Sequence, residues 1–513
     1  MSRTVDADVC IVGAGIAGLF AACSLPQGTR AIVLDKGTLG EGSSPLAQGG
    51  MAAAVGPDDS PERHLADTAA AGAGLVDLRA AEVLCREAPR RVRELAELGC
   101  RFDRNPDGSP HLAREGGQSV ARSVHTADAS GGEIVRALRI AAGPAVERVE
   151  AYAVDLAVGP DGRSGGVWAL DPDHDWVLVR APATMLASGG AGALFASTTN
   201  PPAATGDALA LAARAGARLA DLEFVQFHPT ALAVPESPRP LLTEALRGAG
   251  AHLVDRKGRR FMVDRHPDAE LAPRHVVTAA ILAVGEAFLD CRSLGTEELE
   301  RHFPTVVASC RARGYDPATD LLPVAPAAHY LIGGVATDLE GRTTIPGLYA
   351  AGECAATGVH GANRMAGNSL SEAVVFGRRA ALAMAAAAPV SRSSPADSDP
   401  EWEAPAGSPA RSAEVDLGDV HRAVTEAVTL GAGPIRNAAD GAGALTALRE
   451  LLSDIVDGDG RVAVEARAML RAGMLLVRAA MVRRESRGVH VRSDHPAADA
   501  VLDGVHLSVG DVT

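Results

Sequence analysis

Aromatic residues are scarce in this sequence: they make up only 3% of its 513 residues. The cores must therefore be built mainly from aliphatic side chains. No uninterrupted apolar run reaches the roughly 20 residues that a membrane-spanning helix needs, and no signal-peptide pattern opens the chain. The net charge is −15, and the sequence has no block of Lys or Arg residues. Both observations argue against nucleic-acid binding. These absences predict a cytoplasmic protein that binds neither membrane nor nucleic acid.

The seven cysteines are odd in number, scattered, and without C-x-x-C spacing. Such a distribution supplies neither a disulfide framework nor the ligand set of an iron–sulfur or zinc site. We therefore expect reduced core thiols and no metal.

A nucleotide fingerprint is present near the start of the chain. A buried strand is predicted at Asp8–Val12, GAGIAG at Gly13–Gly18 opens a helix, and a second strand at Ala31–Leu34 ends at Asp35. In this frame the glycines allow a tight turn, a close approach of a pyrophosphate, and helix–strand packing, while the acid is placed for a ribose hydroxyl. The alternative is a glycine-rich turn without a ligand.

A second loop of small residues follows directly at Gly40–Gly50. The fingerprint alone does not distinguish NAD from FAD, but a flavin needs a long polar cradle for its pyrophosphate and ribityl chain. The sequence therefore favours FAD.

Composition and periodicity divide the rest of the chain. We predict an α/β FAD-binding Rossmann-like domain, an inserted α+β capping domain, and a C-terminal three-helix bundle. The predicted boundaries are 1–220 and 328–388 for the FAD-binding domain, 221–327 for the capping domain, 389–414 for a Pro/Ser-rich linker, and 415–513 for the helical domain.

The stretch Thr357–Leu370, TGVHGANRMAGNSL, lies between a predicted strand and a predicted helix. Its end, at Asn368–Leu370, is expected at a helix N-terminus, which favours negative charge. Arg364 and His360 come just before it. This combination suits an anionic substrate beside a cofactor that becomes anionic on reduction.

Eight motifs follow one another along nearly the whole chain: GAGIAG, AQGG, REGGQS, QFHPT, TEALRG, LAPRH, HGANRMAGNSL and RRESRG. Together they resemble the succinate dehydrogenase/fumarate reductase flavoprotein family. Two local features favour the members that oxidise L-aspartate. Ser43 stands where succinate dehydrogenases carry the histidine that attaches FAD covalently, so the resemblance implies noncovalent FAD. Arg114–Gly117 resembles the aspartate-oxidising form of its loop, although Gln118 departs from the histidine common there.

The resemblance implies that L-aspartate loses a hydride from Cα to flavin N5 and becomes iminoaspartate, the first step of de novo NAD biosynthesis. Electrons then pass to O2 or fumarate, and quinolinate synthase is the implied next enzyme, with direct hand-off left open. Two alternatives remain: a soluble fumarate reductase/succinate dehydrogenase-type flavoprotein, and an electron-transfer subunit that works docked to an iron–sulfur partner.

A C4 diacid is best held by charge-assisted hydrogen bonds in a water-poor cleft. The resemblance implies Arg274 as the catalytic residue. Its implied substrate-binding residues are Glu115, His228, Thr243, Glu244, His329 and Arg364. The implied cofactor-binding residues are Gly13, Ala14, Gly15, Ile16, Ala17, Gly18, Asp35, Lys36, Gly42, Ser43, Ser44, Gln48, Gly49, Asp207, Glu353, Ser369 and Leu370.

The roles of three of these residues have alternatives. Arg274 is either the proton donor or acceptor, as the resemblance implies, or only a carboxylate clamp, because an arginine is a poor base. Glu115 is suited to the ammonium that distinguishes aspartate from succinate, or it forms a structural salt bridge with Arg114 or another arginine. Glu244 orients Arg274 or His228, or it is a structural partner of Arg247.

Overall fold

The computed structural model describes residues 3–37, 42–143, 146–387, 416–455 and 460–510. The predicted linker at 389–414 lies outside these residues.

The strands are short and distributed along most of the chain. They are β1 (Arg3–Asp6), β2 (Val9–Val12), β3 (Ala31–Asp35), β4 (Met51–Ala52), β5 (Leu112–Ala113), β6 (Ser123–Val124), β7 (Val146–Glu150), β8 (Tyr152–Val158), β9 (Ser164–Leu170), β10 (Trp176–Arg180), β11 (Ala183–Leu186), β12 (Leu219–Ala220), β13 (Val225–Leu232), β14 (His252–Asp255), β15 (Ala287–Asp290), β16 (Leu321–Leu331), β17 (Gly334–Ala336), β18 (Leu348–Ala350), β19 (Ala355–Ala356) and β20 (Ser508–Val509).

The α-helices are longest in the C-terminal third. They are α1 (Ile16–Ser24), α2 (Pro61–Ala71), α3 (Leu78–Glu97), α4 (Ser130–Ala142), α5 (Asp207–Arg214), α6 (Glu244–Gly248), α7 (Arg274–Val284), α8 (Thr296–His302), α9 (Pro304–Arg311), α10 (Asn368–Ala387), α11 (Leu417–Ala432), α12 (Ala438–Asp454) and α13 (Arg461–Val482).

A five-stranded parallel sheet, in the order β18-β11-β2-β3-β7, forms the centre of the FAD-binding part. Its strand β2 is buried along its whole length, as the apolar run predicts. Gly13 turns the chain from β2 towards α1 with a φ of +114°, and a Cβ there would lie 2.3 Å from the carbonyl oxygen of Ala187. Only glycine fits this turn.

An antiparallel meander, β8-β9-β10, lies in the chain between β7 and β11 of the parallel sheet. The N-terminal strand β1 extends this sheet by pairing in parallel with β10.

The part of the chain proposed as the capping domain forms its own core. Strands β13, β16, β15 and β14 pair antiparallel, and helices α6 to α9 belong to the same region. Its buried side chains, among them Leu246, Leu253, Ile281 and Val306, form one hydrophobic cluster. Strand β16 continues to Leu331 and so connects this region directly with the FAD-binding part.

Helices α11, α12 and α13 pack on one another through buried side chains such as Val424, Val428, Leu448 and Leu470. The same hydrophobic cluster includes Cys10 and Ile32 of the parallel sheet. The C-terminal helices are therefore joined to the FAD-binding part by a continuous core. In the described ranges, we find no helix whose length and hydropathy would let it cross a bilayer.

Candidate active site

A cavity of about 470 Å³ extends from the fingerprint turn to His329 and Tyr330. Most of the predicted cofactor residues line it, namely Gly13, Ala14, Gly15, Ile16, Ala17, Asp35, Lys36, Gly42, Ser43, Ser44, Gln48, Asp207, Glu353, Ser369 and Leu370.

Gly18 and Gly49 do not belong to this lining. Gly18 lies behind the turn, where a Cβ would meet the carbonyl oxygen of Gly13 at 2.1 Å, so its role is helix–strand packing. Gly49 faces the carboxylate of Glu115 instead, with a hypothetical Cβ 3.2 Å from Oε2.

A partly buried ion pair lies in the cavity wall. Lys36 Nζ donates to Asp207 Oδ2 and to Thr205 Oγ1, both at 2.7 Å. Asp207 is the first residue of α5, and its Oδ1 accepts a hydrogen bond of 2.8 Å from Thr205 Oγ1. Nearby, burial raises the pKa of Asp35 although Arg148 lies 3.3 Å away and opposes the shift.

Glu353 also lies in the cavity wall. Its Oε1 accepts a hydrogen bond of 3.0 Å from the backbone N–H of Leu331, and burial raises the pKa of its carboxyl to about 7. Gly190 allows this position, because a Cβ at that residue would lie 2.1 Å from Glu353 Oε1. Helix α10 begins beside it, at Asn368, so backbone N–H groups of its first turn lie near Ser369 and Leu370 of the cavity wall.

These residues fit FAD. The cavity offers a carboxylate for ribose at Asp35, a glycine turn for phosphate, and a helix N-terminus for the flavin's anionic edge. Among the residues that the structure describes, the buried Oε1 of Gln48 and Oγ of Ser188 have no hydrogen-bond partner, and both residues line the cavity. Such unpaired polar atoms are expected where a polar ligand supplies the missing hydrogen bonds.

Two guanidinium groups meet close to Ser369 of the cavity wall. Arg274 Nη1 and Arg364 Nη2 each donate to the same atom, Gln226 Oε1, at 2.9 Å. Arg364 also donates to Ser369 Oγ at 3.2 Å and lies over the ring of Tyr330. Burial and the nearby Arg274 lower the pKa of Arg364 to about 10, so it remains a cation at neutral pH.

Helix α6 places a carboxylate against this pair. Glu244 Oε2 accepts from Arg274 Nε at 2.8 Å, and Arg247 Nη2 lies 3.9 Å from the same oxygen. Burial alone would raise the pKa of Glu244, but the guanidiniums of Arg274 and Arg247 lower it below its usual range. Thr243 caps this helix through its hydroxyl, which accepts from the N–H of Ala245. Of the three partners predicted for Glu244, the structure shows Arg274 and Arg247 in contact with the same carboxylate oxygen.

His228 and His329 lie side by side, with ring centroids 5.2 Å apart. Burial, followed by the positive charge of Arg274, lowers the pKa of each imidazole well below its usual value. Both are therefore neutral at physiological pH. The N–H of Thr230 donates to His228 Nδ1 at 3.3 Å, which leaves the proton of this neutral ring on Nε2.

Glu115 approaches the same cluster from a separate loop. Its Oε1 accepts from the N–H of Gly50 at 2.9 Å. Burial, aided by the charge of Glu244, raises the pKa of Glu115 above its usual range. The neighbouring Arg114 donates from Nε to the carbonyl oxygen of Gln118 at 2.9 Å.

The structure thus brings Glu115, His228, Glu244, Arg274, His329 and Arg364 to one place. Gln226, which holds the two arginines, was missed by the sequence prediction. A usable signal was present: residues i and i+2 of a strand share a face, and Gln226 precedes His228 by two positions on β13. His360 bonds to Glu372 at 2.9 Å, and its connection to Arg364 is indirect, through Tyr330.

Two family models match the chain. The one described as "FAD binding domain" covers residues 8–370, and the one described as "Fumarate reductase flavoprotein C-term" covers residues 452–503. The first spans most of the parallel sheet, the cavity and the arginine pair.

Curated relatives are similar over almost the full length. The chain is 45% identical to L-aspartate oxidase of Streptomyces coelicolor, with 98% of this chain and 91% of that protein covered. It is 47% identical to L-aspartate oxidase of Caulobacter vibrioides, with 96% and 94% covered. Among solved structures, a variant of E. coli quinol fumarate reductase has a TM-score of 0.89 and 29% identity, with 99% of this chain and 97% of that chain covered.

Proposed function

This chain belongs to the L-aspartate oxidase family of FAD-dependent flavoproteins, and on that premise we propose that it oxidises L-aspartate at Cα to iminoaspartate and passes the electrons to oxygen or fumarate. The observation that carries the proposal is the pair of arginines on one acceptor, Gln226 Oε1, with a separate carboxylate at Glu115. Two cations suit a diacid, and one further anion suits the ammonium that distinguishes aspartate from succinate.

We assign the two substrate carboxylates to Arg364, Arg274 and the two neutral histidines. Arg274 uses Nε and Nη1 within the protein, so Nη2 remains to face the substrate. An Nε2–H on His228 is a further donor that needs no charge. Charge-assisted hydrogen bonds of this kind fix the orientation of the Cα–H bond, and orientation supplies much of an enzymatic rate.

Bound FAD supplies the acceptor for the hydride that leaves Cα. One proton must also leave the substrate nitrogen to give the imine. We take proton transfer by Arg274 from the family resemblance alone, because the ionised Glu244 on its Nε stabilises the guanidinium cation and so favours the carboxylate-clamp role. The carboxylate-clamp role uses the same atoms of Arg274 and is compatible with this assignment.

We assign Glu115 to the substrate ammonium. Its carboxylate is anchored by the N–H of Gly50 and has no arginine or lysine within salt-bridge distance among the described residues. A carboxylate in that setting gains more from a substrate cation than one already paired within the protein. The proposal includes noncovalent FAD, because Ser43 lines the cavity where a covalently attaching histidine would be needed. Its product would enter NAD biosynthesis through quinolinate synthase.

A soluble fumarate reductase is the second candidate, favoured by the similarity to quinol fumarate reductase at a TM-score of 0.89. The same two arginines suit fumarate, which carries two carboxylates and no ammonium. The two candidates differ in the use of Glu115.

The test is the anaerobic absorbance of the holoenzyme with L-aspartate, D-aspartate and succinate in parallel. We expect L-aspartate alone to bleach the flavin, and acid precipitation to release it. Glu115→Gln should lower kcat/KM for L-aspartate by roughly 100-fold and leave fumarate reduction within about threefold, since a buried charge pair at an effective dielectric of about 20 is worth a few kcal/mol. Bleaching by succinate but not by L-aspartate would favour the reductase instead.

A further inference from the structure

Gln118 is a buried amide with every hydrogen-bonding atom directed to a different part of the site. It is 3% exposed. Its Oε1 accepts from the N–H of Glu115 at 3.1 Å, and its Nε2 donates to Ser123 Oγ at 2.9 Å and to the carbonyl oxygen of Ala366 at 3.2 Å.

The three partners belong to three separate segments. Glu115 lies in the loop that carries the proposed ammonium ligand. Ser123 belongs to β6, which pairs with both β4 and β5. Ala366 lies two residues after Arg364, in the loop that carries one of the two guanidiniums. A single side chain therefore ties the proposed ammonium ligand to the sheet and to the carboxylate-binding loop.

Neighbouring residues leave the loop of Glu115 little space to move. A Cβ at Gly116 would lie 1.8 Å from Glu244 Oε1, and one at Gly117, where φ is +83°, would lie 3.1 Å from Met365 Cγ. The loop is thus enclosed between the carboxylate of α6 and the loop of Arg364. Within that space, the Gln118 amide fixes the backbone at Glu115.

We propose that Gln118 is a positioning residue for substrate selectivity: it holds Glu115 where the carboxylate meets an ammonium, so that an amino diacid is preferred to a plain diacid. The inference rests on the proposed function, because it takes Glu115 as the ammonium ligand. It goes further by assigning the selectivity to a side chain that does not itself touch the substrate.

Gln118→Met removes all three hydrogen bonds at similar length. Two or three lost bonds of ordinary strength correspond to a change of roughly 10- to 100-fold. We expect kcat/KM for L-aspartate to fall by that factor, mainly through KM, and the KM for fumarate to change less than about threefold. Gln118→His keeps one acceptor and one donor and should recover part of the loss.

Ser119→Ala is the matched control in the same loop. It removes the bond of 2.8 Å from Ser119 Oγ to Asp67, on the exposed side, and should leave the ratio of the two activities unchanged. Thermal unfolding of each holoenzyme separates loss of selectivity from loss of stability. Where Gln118→Met fails to fold, Gln118→His serves for the same ratio.

In Gln118→Met, an unchanged ratio of the L-aspartate and fumarate activities would overturn the inference, whether both activities fall equally or neither falls. Glu115→Gln, measured in parallel, tests the ammonium assignment of Glu115 separately from the positioning role of Gln118. If Glu115→Gln is selective and Gln118→Met is not, the positioning role is wrong and the proposed function stands. If Glu115→Gln itself is not selective, the ammonium assignment is wrong.

Discussion

The most specific prediction concerns Gln226, because its Oε1 accepts hydrogen bonds from both Arg274 and Arg364. Gln226→Met removes the acceptor for Arg274 Nη1 and Arg364 Nη2 and also the Nε2 bonds to Asn363 Oδ1 and to the carbonyl oxygen of Arg364. Hydrogen bonds to charged donors contribute about 1.5–3 kcal/mol each, and neutral ones about 1 kcal/mol. We therefore expect the free energy of unfolding to fall by about 5–8 kcal/mol.

The functional effect should be equal for both diacids. Without the shared acceptor, the two like charges move apart, and a displacement of about 1 Å in a positioning group can cost roughly 100-fold in rate. Since Arg274 and Arg364 hold carboxylates in aspartate and fumarate alike, kcat/KM should fall by a similar factor for each. This uniform loss contrasts with the selective loss expected of Glu115→Gln.

The measurements are urea unfolding of the holoenzyme and steady-state kinetics with both substrates. Asn363→Ala is the control, because it removes two bonds of 3.0 Å, one from Gln226 Nε2 and one to the carbonyl oxygen of Ala71, but leaves Gln226 Oε1 on the arginines. It should lower stability by about 2 kcal/mol and leave kcat/KM within about threefold. Unchanged kinetics in Gln226→Met, or a loss confined to aspartate, would show that Gln226 does not position the two arginines for both diacids.

Two further predictions concern charge. Burial raises the pKa of Glu115, so its charge is lost as the pH falls through a value above that of an ordinary glutamate. The pH profile of kcat/KM for L-aspartate should therefore show an acid limb that is missing from fumarate reduction and from Glu115→Gln. An acid limb in all three profiles would contradict the assignment of Glu115 to the ammonium. Asp128 accepts from the N–H groups of Thr305 at 3.2 Å and Val306 at 3.0 Å, at the start of α9 in the proposed capping domain. Asp128→Asn should weaken this contact by about 1 kcal/mol and speed hydrogen exchange of the Thr305 and Val306 amides. The control variant Asp77→Asn, at the N-cap of α3, should leave the exchange of those two amides unchanged. Equal exchange in both variants would show that Asp128 does not stabilise the start of α9.

Local signals predicted the nucleotide-binding frame well. The apolar run, the glycines and Asp35 lie close together in the chain, and their structure depends on short-range sterics: Gly13 needs its positive φ, and Gly18 its contact with the turn. The same holds for the helix at Asn368, which begins where the loop TGVHGANRMAG ends. The FAD binding domain match and the full-length relatives confirm the family and the cofactor that the eight motifs indicated.

Long-range contacts were less accessible. His360 lies four residues before Arg364 in the chain, yet its imidazole bonds to Glu372. Gly49 stands inside the predicted cradle but faces Glu115, because the two loops approach each other across the sheet of β4 and β6. Thr243 was expected at the substrate and is also the cap of α6, which places Glu244.

By itself, the sequence determined the elements that depend on near neighbours: the fingerprint turn, the amphipathic helices and the aliphatic cores. Only the tertiary structure decided which oxygen would hold Arg274 and Arg364, since Gln226 lies 138 residues from Arg364 in the chain. Side chains so far apart meet through strand pairing and close packing, and these are properties of the whole fold. The fold as a whole therefore determines which partner each charged side chain in the site has.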